Sequence, residues 1–179
     1  TKVYPKGFVS IVSDTWDLWK VLQTVIKPLK PIILSREGKV VIRPDSGDPV
    51  KIICGDWNSE NPDAKKGVIE ILWDIFGGKI NTKGYKELDS HIGCIYGDAI
   101  TIERCREICK QLEAKGFAST NMIYGIGSYT YQHNTRDTFG FTLKSTYARI
   151  NGEEKFLFKN PITDSGTKRS QTGMVAVIP

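Results

Sequence analysis

The sequence predicts an α/β fold whose strands form a parallel sheet or a barrel. Over the first two-thirds of the 179 residues, short apolar segments of strand length alternate with longer segments whose apolar residues recur at helical spacing. Past residue 136 the pattern changes to one typical of antiparallel strands. Repeated strand–helix units of the first kind build a parallel sheet or a closed barrel, so we expect this architecture for most of the chain.

The first elements can be read directly in chain order. A buried strand is predicted at residues 8–13, and a helix at 15–26 follows, with apolar residues at helical spacing up to Pro28. A second strand is predicted at 39–42. After a polar loop, a helix at 63–76 has its apolar residues on one side and is followed by two glycines, which favour helix termination.

The alternation continues through the middle of the chain. A third strand is predicted at 92–96, a helix at 101–115 and a fourth strand at 121–124. The last third differs, because its segments alternate around an Asn-Gly turn as in a hairpin. The antiparallel strand candidates there cover residues 141–150, 155–159 and 174–178.

Composition excludes several classes of protein. With 40% hydrophobic and 25% charged residues, the chain has the composition of a globular domain, and its apolar runs are too short to span a membrane. The net charge is +5, but the cations are mixed with acids, so we expect no nucleic-acid partner. The four cysteines form no CxxC pair, which favours a reducing, cytoplasmic location.

Acidic residues or glycines follow each of the four predicted parallel strands. Asp14, Asp45 and Asp98 come directly after or near the ends of the first three strands, and Gly125 and Gly127 follow the fourth. Ligands of parallel α/β folds bind where the carboxyl ends of the strands meet the loops. The sequence therefore predicts a ligand site at this edge.

Each of these residues also has a structural explanation. Asp14 and Asp98 could be helix N-caps, Asp45 could close an Asx turn, and the glycines could serve a tight bend. Taken singly, these explanations are favoured. The recurrence of such residues at four consecutive strand ends favours a site instead.

The residue types at the strand ends indicate a sugar phosphate as ligand. Carboxylates can accept hydrogen bonds from ribose hydroxyls or hold Mg²⁺ through water, and a glycine turn lets backbone N–H groups approach a phosphate. Cations must then neutralise the phosphate charge. The candidates are Arg43, Arg136, Lys144 and Lys159. For the lysines a solvated surface position is the alternative, and for Arg136 a surface ion pair with Asp137.

The segment Arg43-Pro44-Asp45-Ser46-Gly47 resembles a motif of the nicotinamide phosphoribosyltransferases, a family of type II phosphoribosyltransferases. The resemblance extends in the expected order through nearly the whole chain. The matching segments are 10–14, 84–86, 97–98, 135–137, Lys144, 151–152, 158–161, 168–170 and Gly173. The first motif is specific, and the others gain weight from their order.

The resemblance implies a role for each matching position. Arg43 would lie against the nicotinamide ring. The ribose would be contacted by Asp45, Gly97 and Asp98. These three residues, together with Asp14, would help organise the magnesium–pyrophosphate region, and Asp14 and Asp45 would be the catalytic carboxylates. The 5′-phosphate would lie at Gly127 and Ser128, and further phosphate contacts would come from Arg136, Lys144 and Lys159.

The resemblance also implies a reaction and an assembly. Phosphoribosyl pyrophosphate, with Mg²⁺ on its pyrophosphate, would react with nicotinamide to give nicotinamide mononucleotide, in a homodimer with shared active sites. Residues 1–179 would be the C-terminal portion of a TIM-barrel-like catalytic domain with a few extra antiparallel strands. Because family members are much longer and carry their catalytic histidine in the N-terminal portion, we expect this chain alone to be inactive.

Two alternatives stay open at this point. A nicotinate phosphoribosyltransferase shares the architecture but reads a carboxylate on the base, and the residues that distinguish the two are expected outside this stretch. The chain could also be a non-catalytic fragment that binds nucleotide. One departure concerns the phosphate turn, because Ser128 and Tyr129 stand where the family has glycines.

Overall fold

The computed structural model describes residues 3–127, 132, 134, 136–166 and 168–176, with only the backbone described at residues 136 and 137. In chain order the strands are β1 (Lys6–Val12), β2 (Glu37–Arg43), β3 (Gly78–Ile80), β4 (Lys86–Leu88), β5 (Ile92–Tyr96), β6 (Met122–Tyr124), β7 (Tyr147–Ile150) and β8 (Glu153–Phe156). The α-helices are α1 (Leu18–Val21), α2 (Lys30–Leu34), α3 (Pro49–Cys54), α4 (Pro62–Lys66), α5 (Val68–Phe76) and α6 (Ile102–Ala114). Helix α1 continues into a π-helical turn at Leu22–Ile26, and 3₁₀ turns lie at Ser119–Asn121 and Arg136–Phe139.

Four parallel strands form the main sheet, in the order β1-β2-β5-β6. Ile42 of β2 pairs with Ile11 of β1 and with Cys94 of β5, so the strands are closely in register. The four carboxyl ends therefore lie along one edge. Two antiparallel hairpins, β3–β4 and β7–β8, complete the described sheets. The predicted α/β class with a parallel sheet and extra antiparallel strands is confirmed.

The helices bury one face of this sheet. Ile42, Cys94 and Tyr96 project into a core that also contains Leu72 of α5 and Ile108 of α6, all at most 1% exposed. Side chains alternate between the two faces of a strand, so residues one position away lie on the opposite face. That face keeps apolar side chains exposed, among them Phe8 at 78%, Val12 at 44% and Ile123 at 49%.

All four predicted parallel strands are present, and two predicted helices are interrupted. The helix expected at 15–26 begins at Leu18, because the carboxylate of Asp17 accepts a hydrogen bond from the Lys20 N–H at 3.0 Å and caps it. The helix expected at 63–76 is divided at Gly67, whose φ of +80° leaves the helical range.

Other elements differ from the predictions. Helix α3 and the β3–β4 hairpin were not predicted. The antiparallel strands expected at 141–150 and 155–159 are shorter and are centred on the Asn151-Gly152 turn, as β7 and β8. Residues 174–176 form no strand, and the rest of the candidate strand 174–178 lies outside the described residues.

Among the helices that the structure describes, none is both long and apolar enough to cross a membrane.

Candidate functional site

The loops that follow the four parallel strands meet at the carboxyl edge of the sheet. Asp14 follows β1, Asp45 follows β2, Asp98 follows β5, and the segment from Gly125 to Gly127 follows β6. A hydrogen bond joins the residue after β1 to the end of β2: the Ser13 N–H donates to the Arg43 carbonyl at 3.1 Å. The structure therefore brings together the residues that the sequence placed at the strand ends.

Asp14 lies beneath the loop after β2 and is fully buried. Its Oδ2 accepts hydrogen bonds from the backbone N–H of Asp45 at 2.7 Å and from the Ser46 hydroxyl at 2.5 Å. Its Oδ1 is buried without a hydrogen-bond partner among the described residues. The N-cap explanation for Asp14 is wrong, because Asp17 caps α1. Asp14 instead fixes the position of the Asp45 loop.

Asp45 points its carboxylate between two cations. Its Oδ1 lies 3.9 Å from Nη2 of Arg43, and its Oδ2 lies 3.7 Å from Nζ of Lys159. The capping role in this loop belongs to Asp48, whose Oδ1 accepts from the Val50 N–H at 2.8 Å and starts α3. The Asp45 carboxylate is therefore available at the surface rather than used to close the turn.

Asp98 is paired with Lys168, a residue for which the sequence predicts no role. Nζ of Lys168 lies 2.6 Å from Oδ2 of Asp98 and also donates to the backbone carbonyl of Asp45. The N-cap explanation for Asp98 is also wrong, since the Thr101 hydroxyl accepts from the Arg104 N–H at 3.2 Å and caps α6. Lys168 thus joins the β2 loop to the β5 loop.

Lys168 belongs to a segment that crosses this edge, which we call the strap (residues 159–166 and 168–170). Its backbone N–H groups at Asn160 and Ile162 donate to the carbonyls of Thr15 and Trp16, at 3.1 and 2.8 Å. The Thr163 hydroxyl lies 2.5 Å from the Ser46 hydroxyl. The strap is thereby attached to the loops after β1 and β2.

A cleft of about 670 Å³ opens between the strap and the strand ends. The described residues that line it are Arg43, Asp45, Asp98, Thr142, Lys144, Thr146, Lys159, Lys168, Arg169, Ser170 and Gln171. Five of them are cations and two are carboxylates, and four others carry hydroxyl or amide groups. Such a cleft suits a ligand with several negative charges together with hydroxyl groups. Arg43, Asp45, Asp98, Lys144 and Lys159, all predicted from the sequence, lie in it together.

Two glycines bring the ends of β5 and β6 into close contact. A Cβ atom at Gly125 would lie 2.7 Å from the Cα of Gly97, so a larger residue cannot be placed there without movement of the backbone. Gly127 is exposed, and a Cβ added there would meet nothing within 4 Å. Ser128 and the Arg136 side chain lie outside the described residues. The phosphate contacts predicted for these two residues therefore stay predictions.

Tyr96 supports the β2 loop from the end of β5. Its hydroxyl donates a 2.9 Å hydrogen bond to the carbonyl of Gly47. Burial, followed by the negative charges of Asp98, Asp14 and Asp45, raises the pKa of Tyr96 far above its usual range. The phenol therefore stays protonated at neutral pH and keeps donating this hydrogen bond.

The described residues contain neither a cluster of metal ligands nor a disulfide bond. Among the described residues, no group of three or more His, Cys, Asp or Glu side chains is arranged to hold a metal ion. The four cysteines are unpaired: Cys54 and Cys94 are buried, whereas Cys105 and Cys109 on α6 are partly buried. The Cys109 sulfur and the Tyr124 hydroxyl lie 3.4 Å apart.

The sequence is similar to those of known phosphoribosyltransferases. A profile of the nicotinate phosphoribosyltransferase (NAPRTase) family matches residues 5–177. A nicotinamide phosphoribosyltransferase of Acinetobacter baylyi is 54% identical over 98% of this chain and 36% of its own length. Proteins of the same name from Mycoplasma pneumoniae and Xanthomonas campestris pv. campestris are 42% and 34% identical, over 95% and 97% of this chain and 38% and 34% of their own lengths. The chain spans about a third of the length of the relatives it matches.

Proposed function

Because this chain belongs to the nicotinate phosphoribosyltransferase (NAPRTase) family, we propose that the whole protein is a nicotinamide phosphoribosyltransferase. It would transfer a phosphoribosyl group from phosphoribosyl pyrophosphate to nicotinamide, giving nicotinamide mononucleotide and pyrophosphate. The observation that carries the proposal is the cleft at the carboxyl edge, where two carboxylates and five cations face one space. The names of the relatives favour nicotinamide over nicotinate as the base.

The cleft offers groups for each part of such a substrate. We assign Arg43 to the nicotinamide ring, and Asp45, Gly97 and Asp98 to the ribose. We assign the 5′-phosphate to Gly127 and Ser128, with Arg136, Lys144 and Lys159 on phosphate and pyrophosphate oxygens. The distances of Asp45 to Arg43 and Lys159, 3.9 and 3.7 Å, support this assignment because they place a carboxylate for the ribose beside cations for the other groups.

These groups would act through electrostatic stabilisation of the transition state. The reacting ribose carbon develops positive, oxocarbenium-like character, which nearby carboxylates such as Asp45 stabilise, while cations stabilise the leaving pyrophosphate. Asp14 is too buried to touch a substrate in this arrangement. We therefore give it the role of positioning Asp45 through the hydrogen bond to the Asp45 N–H.

Mg²⁺ would be bound together with the pyrophosphate. The Asp45 and Asp98 carboxylates at the cleft are suitable oxygen donors, and the described residues provide no three-ligand cage of their own. Mg²⁺ in phosphate sites commonly keeps several waters and takes one or two carboxylates together with substrate oxygens, which fits this donor set. The ion would supply charge neutralisation for the leaving group.

The remainder of the active site would come from outside these 179 residues. We propose that residues 1–179 are the C-terminal portion of the catalytic domain and that the four parallel strands belong to a TIM-barrel-like sheet. The exposed apolar face with Phe8, Val12 and Ile123 supports this, because further strands of a barrel would cover it.

We also propose a cytoplasmic homodimer with shared active sites. The unpaired cysteines support a reducing compartment. In the last third of the chain, several large apolar side chains are exposed and could be covered by a second copy. They include Phe139, Phe141, Leu143 and Phe156, each at least 64% exposed.

The test is an assay of the full-length protein with phosphoribosyl pyrophosphate, Mg²⁺ and either nicotinamide or nicotinate. We expect nicotinamide mononucleotide to form with a higher kcat/KM than nicotinate mononucleotide. A preference for nicotinate would identify the other base specificity of the family. Binding of nicotinamide mononucleotide without any turnover would instead indicate a nucleotide-binding protein.

A further inference from the structure

Lys168 is the one strap residue whose side chain reaches two strand-end loops in the described structure. Its Nζ lies 2.6 Å from Oδ2 of Asp98 and donates to the carbonyl of Asp45. The two loops follow β2 and β5, which are neighbours in the sheet. The Lys168 side chain is 26% exposed and the Asp98 side chain 43%, so the pair is at the cleft but partly shielded from water.

The backbone around Lys168 is held in place independently of this ion pair. The Asp164 carboxylate accepts from the Gly166 N–H at 2.9 Å and from the Lys168 N–H at 2.8 Å. Lys159 and Ser170 exchange two hydrogen bonds, at 2.8 and 2.9 Å. The strap therefore fixes the backbone from which the Lys168 side chain extends to the two loops.

We propose that Lys168 is a positioning residue that sets the spacing of the Asp45 and Asp98 carboxylates across the cleft. The proposal rests on the proposed function, in which both carboxylates contact the ribose. Asp45 has Arg43 and Lys159 beside it, whereas among the described residues Lys168 is the cation that forms an ion pair with Asp98. Among the described residues only Oδ2 of Asp98 has a hydrogen-bond partner, so Oδ1 is available to accept from a ribose hydroxyl while Lys168 holds the carboxylate.

The role predicts a specific kinetic defect in the full-length enzyme. Lys168→Met should lower kcat/KM for phosphoribosyl pyrophosphate by about tenfold to a hundredfold, the range for a lost hydrogen bond to a charged group. The KM for nicotinamide should change much less, because the base is assigned to Arg43. Lys168→Arg should recover part of the loss, since it keeps a charged donor.

Lys155→Met is the matched control. It also removes a lysine paired with an acid, Glu153 at 2.9 Å, but on the exposed β7–β8 hairpin away from the cleft-lining residues. We expect its kinetics to match those of the wild type. Urea unfolding midpoints of all variants separate a kinetic defect from a loss of folded protein. Should Lys168→Met fail to fold, Lys168→Gln takes its place, since it retains an N–H donor.

A double-mutant cycle with Asp98→Asn decides whether Lys168 acts through Asp98. We expect the double variant to lose about as much kcat/KM as the more affected single variant, because both changes break the same contact. Additive losses in an active enzyme would mean that Lys168 acts separately, for example directly on pyrophosphate, and would overturn the proposal. A wild-type protein inactive with both bases would overturn the proposed function itself, and this proposal with it.

Discussion

At the scale of single residues, the chemistry of the cleft depends most on the Asp45 carboxylate. Asp45→Asn in the full-length enzyme should preserve the fold, because the Asp45 N–H that bonds Asp14 is part of the backbone. Loss of the negative charge beside the reacting ribose should lower kcat by about a hundredfold, or about 2.7 kcal/mol. Steady-state kinetics with circular dichroism as a folding control measure this. Near-normal kinetics would mean that Asp45 is only a structural residue of the loop.

Tyr96 gives a prediction about pH. Tyr96→Phe leaves the Gly47 carbonyl without its 2.9 Å donor and should lower the free energy of unfolding by about 1–2 kcal/mol. In the unfolded chain a phenol loses its proton near pH 10, whereas burial keeps the pKa of Tyr96 higher in the folded protein. The stability that Tyr96 contributes is therefore present below about pH 10 and declines as pH rises above it.

Urea midpoints of the full-length wild type and the Tyr96→Phe variant, measured between pH 7 and 11, test this. We expect the difference between the two midpoints to be constant at neutral pH and to narrow above about pH 10. A difference that stays constant up to pH 11 would contradict a raised pKa for Tyr96.

The role of a residue could be predicted only where its place after a strand determines its place in the fold. Asp14, Asp45 and Asp98 could be placed at one edge, because parallel strands end on the same side. The burial of Asp14 could not be predicted, because it depends on the Ser46 and Thr163 hydroxyls, which are brought together from positions 117 residues apart. The contact of Lys168 with Asp98 could not be predicted for the same reason, since the two residues lie 70 positions apart.

At the scale of elements, the two glycines after β6 have different expected roles. Gly125 packs against the end of β5, whereas Gly127 is assigned to the 5′-phosphate. Gly125→Ala should lower the urea midpoint, because its Cβ would lie 2.7 Å from Gly97 and force the ends of β5 and β6 apart. Gly127→Val should leave the midpoint nearly unchanged, since a Cβ there meets nothing within 4 Å. It should still weaken nicotinamide mononucleotide binding if the 5′-phosphate lies against this turn, because a side chain would block the backbone.

Calorimetric titrations of the folded full-length variants with nicotinamide mononucleotide and with nicotinamide provide the readout. For Gly127→Val we expect a clear loss for the nucleotide and little for the free base, which has no phosphate. Equal losses for the two ligands would place the phosphate elsewhere and leave the turn a structural feature.

Long elements were predictable from apolar spacing, and short ones were not. The 13 residues of α6 give enough turns for an apolar stripe, of which Ile108 and Leu112 are buried. Helix α3 has six residues and β3 and β4 have three each, so no period can be recognised in them. The helix predicted at 63–76 is divided at Gly67, where an added Cβ would lie 2.4 Å from the backbone N of Gly55, and sequence spacing does not reveal this close approach.

At the scale of the whole molecule, the exposed apolar face of the sheet and the short span of the chain relative to its relatives both indicate that the active site is incomplete in these 179 residues. The 179-residue chain alone should convert little or no nicotinamide, because the described cleft lacks the base-reading and histidine groups that the family resemblance assigns to another portion. Co-expression with the N-terminal portion should restore formation of nicotinamide mononucleotide. Robust turnover by the purified 179-residue chain would contradict this division of the active site.

The most direct measurement is the position of the nucleotide in a crystal structure of the full-length protein with nicotinamide mononucleotide. We expect the ribose hydroxyls within hydrogen-bond distance of the Asp45 or Asp98 carboxylates, and the 5′-phosphate at the turn that begins at Gly127. The cations Lys144 and Lys159 should face the pyrophosphate side of the same cleft. Nucleotide bound outside the cleft between the strap and the carboxyl ends of the strands would contradict the account.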